Sequence, residues 1–184
     1  LRSRTPQAPR IHGANGAPAR FGQMRAFEMY VPPETRELII DAPAGANGVL
    51  LQEMVERAHC VLVPVVPSVI DIRATESFIA RLLAIAKVRS GEARVGIVAN
   101  RVRERTRSFA MLVRFLSSLR IPLLGSLRDS QNFVQAAALG LGVCELPPHR
   151  VKDDLPALDA IGQWLERRKA NALSRAQRDA LIAK

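Results

Sequence analysis

Hydrophobic residues along this chain form two kinds of run, short continuous ones and longer ones with helical spacing. The short runs predict buried strands, since a strand that is apolar along its whole length is typical of a sheet covered on both faces. Pro64 interrupts one of these runs and indicates a bend or an edge strand at that point. The four predicted strands are ELIID (37–41), CVLVPVV (60–66), ARVGIVAN (93–100) and IPLLGSL (121–127).

Apolar residues at helical spacing predict a helix after each of these strands. Thr106 is a candidate N-cap, Gly140 or Gly142 a candidate helix stop, and Gly162 a candidate break in the last helix. Strands that alternate with helices in this way predict an α/β fold with a parallel, doubly wound sheet and a C-terminal helix. The predicted helices cover residues 48–58, 68–88, 106–120, 132–142 and a long polar segment from residue 155.

The composition is that of a soluble globular protein. The 184 residues, of which 48% are hydrophobic, are enough for one domain with a real core. No apolar run approaches the ~20 residues that cross a bilayer, and two cysteines are too few for a disulfide framework. We expect a cytoplasmic protein with a single domain. Its parts would be an irregular basic segment (1–35), a core (36–165) and a C-terminal helical tail (166–184).

The net charge of +10 points to an anionic partner, and arginine supplies most of the positive charge. The planar guanidinium suits phosphate better than an ammonium does, and excess positive charge favours nucleic acid. The arginines cluster in NRVRERTR (100–107) and ERRKANALSRAQR (166–178). Solvated surfaces, or a composition rich in arginine throughout, are the alternatives. The candidate DNA-binding residues are Arg101, Arg103, Arg105, Arg107, Arg167 and Arg168.

Asp41 ends the first apolar run, and Pro43 and Gly45 break the chain directly after it. Ligands bind at the carboxyl ends of the strands of a parallel sheet, so a carboxylate there would face a cation. A turn-capping aspartate is the alternative. A hydrophobic strand followed by aspartate is also the Walker B pattern, in which the carboxylate holds Mg²⁺ beside nucleotide phosphates.

Four segments taken in order resemble the ParA/MinD family of deviant Walker ATPases: DAPAG (41–45), 58–79, VGIVANRV (95–102) and 127–146. The resemblance covers about residues 36–165. It implies a P-loop NTPase-like fold, ATP and Mg²⁺ as cofactors, and a homodimer that binds DNA nonspecifically while bound to ATP. Such a switch partitions or positions a plasmid, chromosome or protein complex on the nucleoid, and a ParB-like adaptor protein stimulates its ATP hydrolysis.

The resemblance also implies roles for particular residues. Asp41 would organise Mg²⁺ as the catalytic Walker B carboxylate. Pro43 and Gly45 would form the switch that senses the γ-phosphate. Asn100 would contact adenine, with an N-cap or turn residue as the alternative.

Two further pairs of residues are assigned by the same resemblance. Pro147 and Pro148 would lie in the loop that flanks adenine. For Arg128 and Asp129 we expect a structural or interface role.

The chain departs from the family pattern in ways that leave ATPase activity open. Ala42 stands where the family usually has threonine, and no lysine follows a glycine, so a G-x-x-x-x-G-K-[ST] phosphate loop is missing. Residues 1–13 resemble the segment just after the first switch in longer relatives, so we expect about 40 residues to be missing, on the length of a βαβ unit. Without them this chain would not bind ATP in the family manner.

Two other functions therefore stay open. One is a non-catalytic basic DNA-binding or scaffold module of the same fold. The other is a MinD-like membrane-associated ATPase, against which the polar ending SRAQRDALIAK argues, because a membrane helix needs an apolar face.

Overall fold

A computed structural model describes residues 34–35, 37–43, 45–91 and 93–167 of the chain. The chain divides into two compact units, Leu1–Ala46 and Asn47–Lys184. The predicted single domain stays a prediction. Most of the basic segment 1–35 and of the tail 166–184 lies outside the described residues.

The second unit is built on a parallel sheet. Its strands are β1 (Cys60–Val65), β2 (Arg94–Val102) and β3 (Leu123–Arg128), in the order β1-β2-β3. Val63 lies opposite Ile97 in the first pair, and Ile97 lies opposite Leu123 in the second. Three of the four predicted strands and the α/β class are therefore confirmed, while the doubly wound arrangement stays a prediction.

Helices precede, connect and follow these strands. None of them, over the part of the chain that is described, is long and apolar enough to cross a membrane. A 3₁₀ turn at Val143–Glu145 lies between two of them. The α-helices are α1 (Gly48–Arg57), α2 (Val69–Ala84), α3 (Ala86–Arg89), α4 (Arg107–Ser118), α5 (Gln131–Ala138), α6 (Pro148–Val151) and α7 (155–167).

The ends of the helices follow from local capping chemistry. The Ser68 hydroxyl accepts from the Asp71 N–H at the start of α2 (3.2 Å), and the extended backbone of Ile85 separates α2 from α3. The predicted helix 68–88 is thus two helices. Gly140 follows α5 with a φ of +69°, the left-handed conformation that commonly ends a helix. Gly162 does not break α7, which continues through residue 167.

The core lies between the sheet and the helices that connect its strands. Helices α2 and α4 pack against each other, because both cross over from one parallel strand to the next. Leu82 of α2, Ile97 of β2 and Leu112 of α4 are fully buried in one cluster. Burying each such side chain contributes about 1.5–3 kcal/mol, so this cluster stabilises the packing of α2 and α4 on the sheet.

Pro64 lies in β1, at an edge of the described sheet. The Arg94 N–H donates to the His59 carbonyl (3.0 Å), so Val61, Val63 and Val65 form the ladder bonds to β2 that follow. The nitrogen of Pro64 therefore faces away from β2, where no ladder hydrogen bond is lost. The predicted edge position of Pro64 is confirmed within the described sheet.

The predicted strand at 37–41 is wrong. Residues 37–43 have neither strand nor helix structure, and Leu38 and Ile39 are 47% and 91% exposed. The apolar run gives this segment strand propensity, but a strand forms only where a neighbour satisfies its N–H and C=O groups. No described strand pairs with this run.

Candidate functional site

The carboxyl ends of β2 and β3 meet at one edge of the sheet. The Asp129 N–H donates to the Val102 carbonyl (3.0 Å), which places Asp129 directly beside the end of β2. Arg101 and Arg103 flank the buried Val102, and both side chains are exposed. The two arginines therefore lie on either side of one carboxylate.

Asp129 forms ion pairs with both arginines. Its Oδ2 accepts from Arg103 Nε at 2.8 Å and lies 2.7 Å from Arg103 Nη2, and its Oδ1 lies 3.4 Å from Arg101 Nε. The arginine side chains are 70% and 75% exposed, whereas the Asp129 side chain is 23% exposed. Solvent screens such pairs, so they can exchange with other anions.

The pKa of Asp129 reflects this contact. The hydrogen bond from Arg103 is the largest influence and lowers the pKa below the ordinary aspartate value. Burial opposes the shift, and the hydrogen bond from Arg101 and the charges of both guanidinium groups add to it. Asp129 is therefore fully ionised at neutral pH.

A β-bulge shapes the end of β2. Between the pairs Ala99–Ser126 and Val102–Arg128, β2 has one residue more than β3. Arg101 in this bulge has a φ of +52°, and its N–H donates to the Asn100 Oδ1 (3.0 Å). Bulges redirect side chains, and left-handed backbone is uncommon for arginine, so the fold holds Arg101 in a costly conformation.

The loop after β2 is fixed by Thr106. The Thr106 hydroxyl donates to the Arg103 carbonyl (2.8 Å) and accepts from the Phe109 N–H at the start of α4 (3.3 Å), so the predicted N-cap is confirmed. Between these anchors Arg105 has a φ of +64°. The loop is therefore held by hydrogen bonds at both ends while one arginine in it has left-handed backbone.

Two arginines of this loop are not neutralised by the fold. Arg105 and Arg107 are exposed, and among the described residues neither forms an ion pair, nor does the neighbouring Glu104. Arg107 is the first residue of α4, where the helix dipole disfavours a positive charge. The Arg107 charge therefore does not stabilise α4.

Behind the loop lies a buried carboxylate. The Asp154 side chain is fully buried, and its Oδ1 accepts from Arg128 Nε (3.1 Å) and Nη2 (2.9 Å). Its Oδ2 accepts from Asn132 Nδ2 (2.7 Å) and from the Ser130 hydroxyl (3.4 Å). This network joins the end of β3 to the start of α5 and to the turn before α7. Arg128 therefore has the expected structural role.

The residues around Asp41 form an open turn in the first unit. The Ala46 N–H donates to the Pro43 carbonyl (3.1 Å), and Gly45 has a φ of +77° with no atom within 4 Å of the position a Cβ would occupy. Among the described residues no group of three or more His, Cys, Asp or Glu gathers to hold a metal.

The candidate adenine contacts lie in β2 and at the start of α6. Asn100 lies within β2, and its amide oxygen already accepts from Arg101, which favours the turn role given as its alternative. Pro147 and Pro148 are exposed at the start of α6. The Asn100 oxygen keeps a second lone pair, and its amide NH₂ is a donor, so the bond from the Arg101 N–H does not block a base contact.

The second basic cluster lies elsewhere. Helix α7 begins beside the Asp154 network and runs back to Trp164, which lines a cavity of about 220 Å³ with Arg94 and Pro122 at the starts of β2 and β3. Arg167, one turn later, is therefore at the opposite edge from the loop, and Arg168 lies outside the described residues. The structure brings Arg101 and Arg103 together at Asp129, and Arg105 and Arg107 follow them in the same loop.

Searches against protein-family models and curated proteins found no match to this chain.

Sequence reasoning missed two features of the site. The pairing of Asp129 with the loop had a signal, since an acid at the end of one predicted parallel strand meets the end of its neighbour. The burial of Asp154 had none, because an aspartate before a helix is ordinarily an exposed cap.

Proposed function

We propose that this protein binds DNA without sequence preference, as the DNA-binding part of a ParA-like, ATP-dependent dimeric switch. The observation that carries the proposal is the loop 101–107, which runs from the last residues of β2 to the first residue of α4. It holds four arginines at the carboxyl edge of a parallel sheet. One carboxylate, Asp129, forms ion pairs with two of them, Arg101 and Arg103. In an α/β sheet this edge is where ligands bind.

The chemistry of the loop favours phosphate over bases. Arginine side chains that are 70% and 75% exposed reach a phosphate backbone at little cost in desolvation. Residues 100–107 contain no aromatic side chain, so bases have no stacking partner there. Phosphate contacts alone bind every sequence alike and weaken with salt.

The switch itself rests on the resemblance to the ParA/MinD family. On that proposal the three strands belong to a larger, doubly wound P-loop-type sheet, and the protein works in the cytoplasm on the nucleoid as a homodimer with a stimulating adaptor. Asp41 would hold the Mg²⁺ that neutralises phosphate charge during ATP hydrolysis. Pro43 and Gly45 would form the γ-phosphate turn, and Asn100, Pro147 and Pro148 would lie near adenine.

A second candidate function is a DNA-binding or scaffold module that works without ATP. It is favoured by the absence of any glycine followed by lysine in the 184 residues, since a phosphate loop needs that pair. Both candidates use the same arginines, and they differ in their response to nucleotide.

DNA binding over a salt series, with and without ATP and Mg²⁺, tests the proposal. We expect the full chain to bind two duplexes of unrelated sequence and equal length with the same affinity. The logarithm of the binding constant should fall linearly with the logarithm of the salt concentration, by about 0.9 for each phosphate contacted.

The comparison with and without ATP and Mg²⁺ distinguishes the two candidate functions. Tighter binding with ATP and Mg²⁺ supports the switch, and binding that ignores ATP supports the module. If the chain binds neither duplex at about 50 mM salt, the DNA proposal is wrong in both forms.

A further inference from the structure

The position of Asp129 has a consequence for the DNA contact. Its carboxylate occupies the guanidinium groups of Arg101 and Arg103 through contacts of 2.7–3.4 Å. A phosphate that approaches those arginines meets a fixed negative charge in the place it would take. Arg105 and Arg107 carry no such counter-ion among the described residues.

We propose that Asp129 is a built-in competitor for DNA phosphate that limits how many loop arginines bind it. This inference rests on the proposed DNA function. Phosphate binds first to Arg105 and Arg107. Arg101 and Arg103 join only when phosphate displaces the Asp129 carboxylate. The exchange is possible because the two arginine side chains are 70% and 75% exposed.

The geometry favours exchange over a purely structural role for Asp129. The backbone contact that places Asp129 is its own N–H to Val102, which any residue except proline would keep. The structural carboxylate of this edge is Asp154, which is fully buried and bonded on both oxygens. The Asp129 side chain instead bonds to the two arginines, whose side chains are the most exposed of the ion pairs at this edge.

The substitution Asp129→Asn tests the inference, with Asp153→Asn as the matched control. Asp153 is an exposed carboxylate at the same edge that lies 3.9 Å from Arg128 and touches no loop arginine. Both variants change the net charge equally. We expect Asp129→Asn to raise DNA affinity on the order of tenfold at about 0.1 M salt, and to steepen the salt slope by about 1 to 2. Asp153→Asn should raise the affinity by no more than about twofold, through general charge alone.

A double-mutant cycle separates competition from a disturbed loop. Arg103→Ala should weaken DNA binding by about twofold or less in the native sequence, where Asp129 already occupies that arginine. In the Asp129→Asn background the same change should cost about eightfold at about 0.1 M salt, the value of one phosphate contact. Equal costs in the two backgrounds would overturn the inference.

The outcomes distinguish this inference from the DNA proposal itself. If the native chain binds DNA and Asp129→Asn behaves like Asp153→Asn, the competitor is wrong while DNA binding stands. If Asp129→Asn binds DNA and the native chain does not, the role of Asp129 as a competitor is confirmed, and Asp129 suppresses DNA binding completely. If neither the native chain nor Asp129→Asn binds DNA at low salt, both the DNA proposal and the competitor proposal fail.

Discussion

Arg101 and Arg105 both have left-handed backbone, which glycine or asparagine adopts at lower cost than arginine. The surrounding contacts hold them there, with Asn100 accepting from the Arg101 N–H and Thr106 closing the loop after Arg105. Strain of this kind persists where the rest of the fold fixes the backbone, and it concentrates at functional sites. At this scale the loop backbone is held by hydrogen bonds while its arginine side chains are exposed.

The pKa of Asp129 gives a prediction for a single residue. Because Arg103 is the largest cause of its lowered pKa, Arg103→Ala should raise that pKa toward the ordinary value more than Arg101→Ala does. A pH titration of the Asp129 carboxyl ¹³C shift measures it. An Asp129 pKa unchanged by Arg103→Ala would contradict the ion pair.

The sign of the stability effect follows from the same shift. The folded pKa of Asp129 lies below its unfolded value, so the ion pair stabilises the fold above the unfolded pKa. That contribution is lost as the pH falls through the folded pKa. In the Asp129→Asn variant the free energy of unfolding should therefore fall less steeply as the pH is lowered into the acid range. Near neutral pH the variant and the native chain should differ by an amount that does not depend on pH.

At the scale of elements, the ends of β2 and β3 form the site because parallel neighbours end at the same edge. The bulge in β2 adds one residue before the ladder resumes at Val102, and it turns Arg101 toward Asp129. The Asp154 network then fixes the end of β3 against α5 and the turn before α7. The position of Asp129 depends on both features.

The Asp154 network gives a prediction for the elements that it joins. Asp154→Asn should lower the free energy of unfolding by about 2 kcal/mol, because it removes a charged acceptor from Arg128 and sets an amide against the amide of Asn132. The loss is smaller than for a fully buried pair, since the Arg128 side chain is 43% exposed and stays hydrated. Urea unfolding measures it. The exposed Asp153→Asn should stay within about 0.5 kcal/mol, and equal losses in both variants would contradict a structural role for the network.

The elements also show what the sequence could predict. Runs such as VGIVAN, in which every residue can be buried, predicted strands that form, and Thr106 predicted the start of α4. The run at 37–41 has the same apolar pattern but no described strand beside it, and propensity does not supply a partner. Contacts between distant residues, such as Arg103 with Asp129 or Arg128 with Asp154, need the sheet order before they can be expected.

At the scale of the whole molecule, a net charge of +10 would attract DNA wherever the arginines lay. The proposed DNA contact is confined to one part of the surface, because it occurs through the loop at the carboxyl edge of the sheet. Arg81 and Arg89 offer the matched comparison. They are exposed arginines in the last turns of α2 and α3, which run back to the amino edge of the sheet.

The most direct test compares two double variants in the same DNA-binding salt series. Arg105→Ala with Arg107→Ala should lower the affinity on the order of 50-fold at about 0.1 M salt and reduce the salt slope by about 1.8, the value of two phosphate contacts. Arg81→Ala with Arg89→Ala removes the same charge and should lower the affinity by less than about threefold. Equal losses in the two pairs would mean that DNA responds to net charge alone, and would contradict a binding surface at the loop.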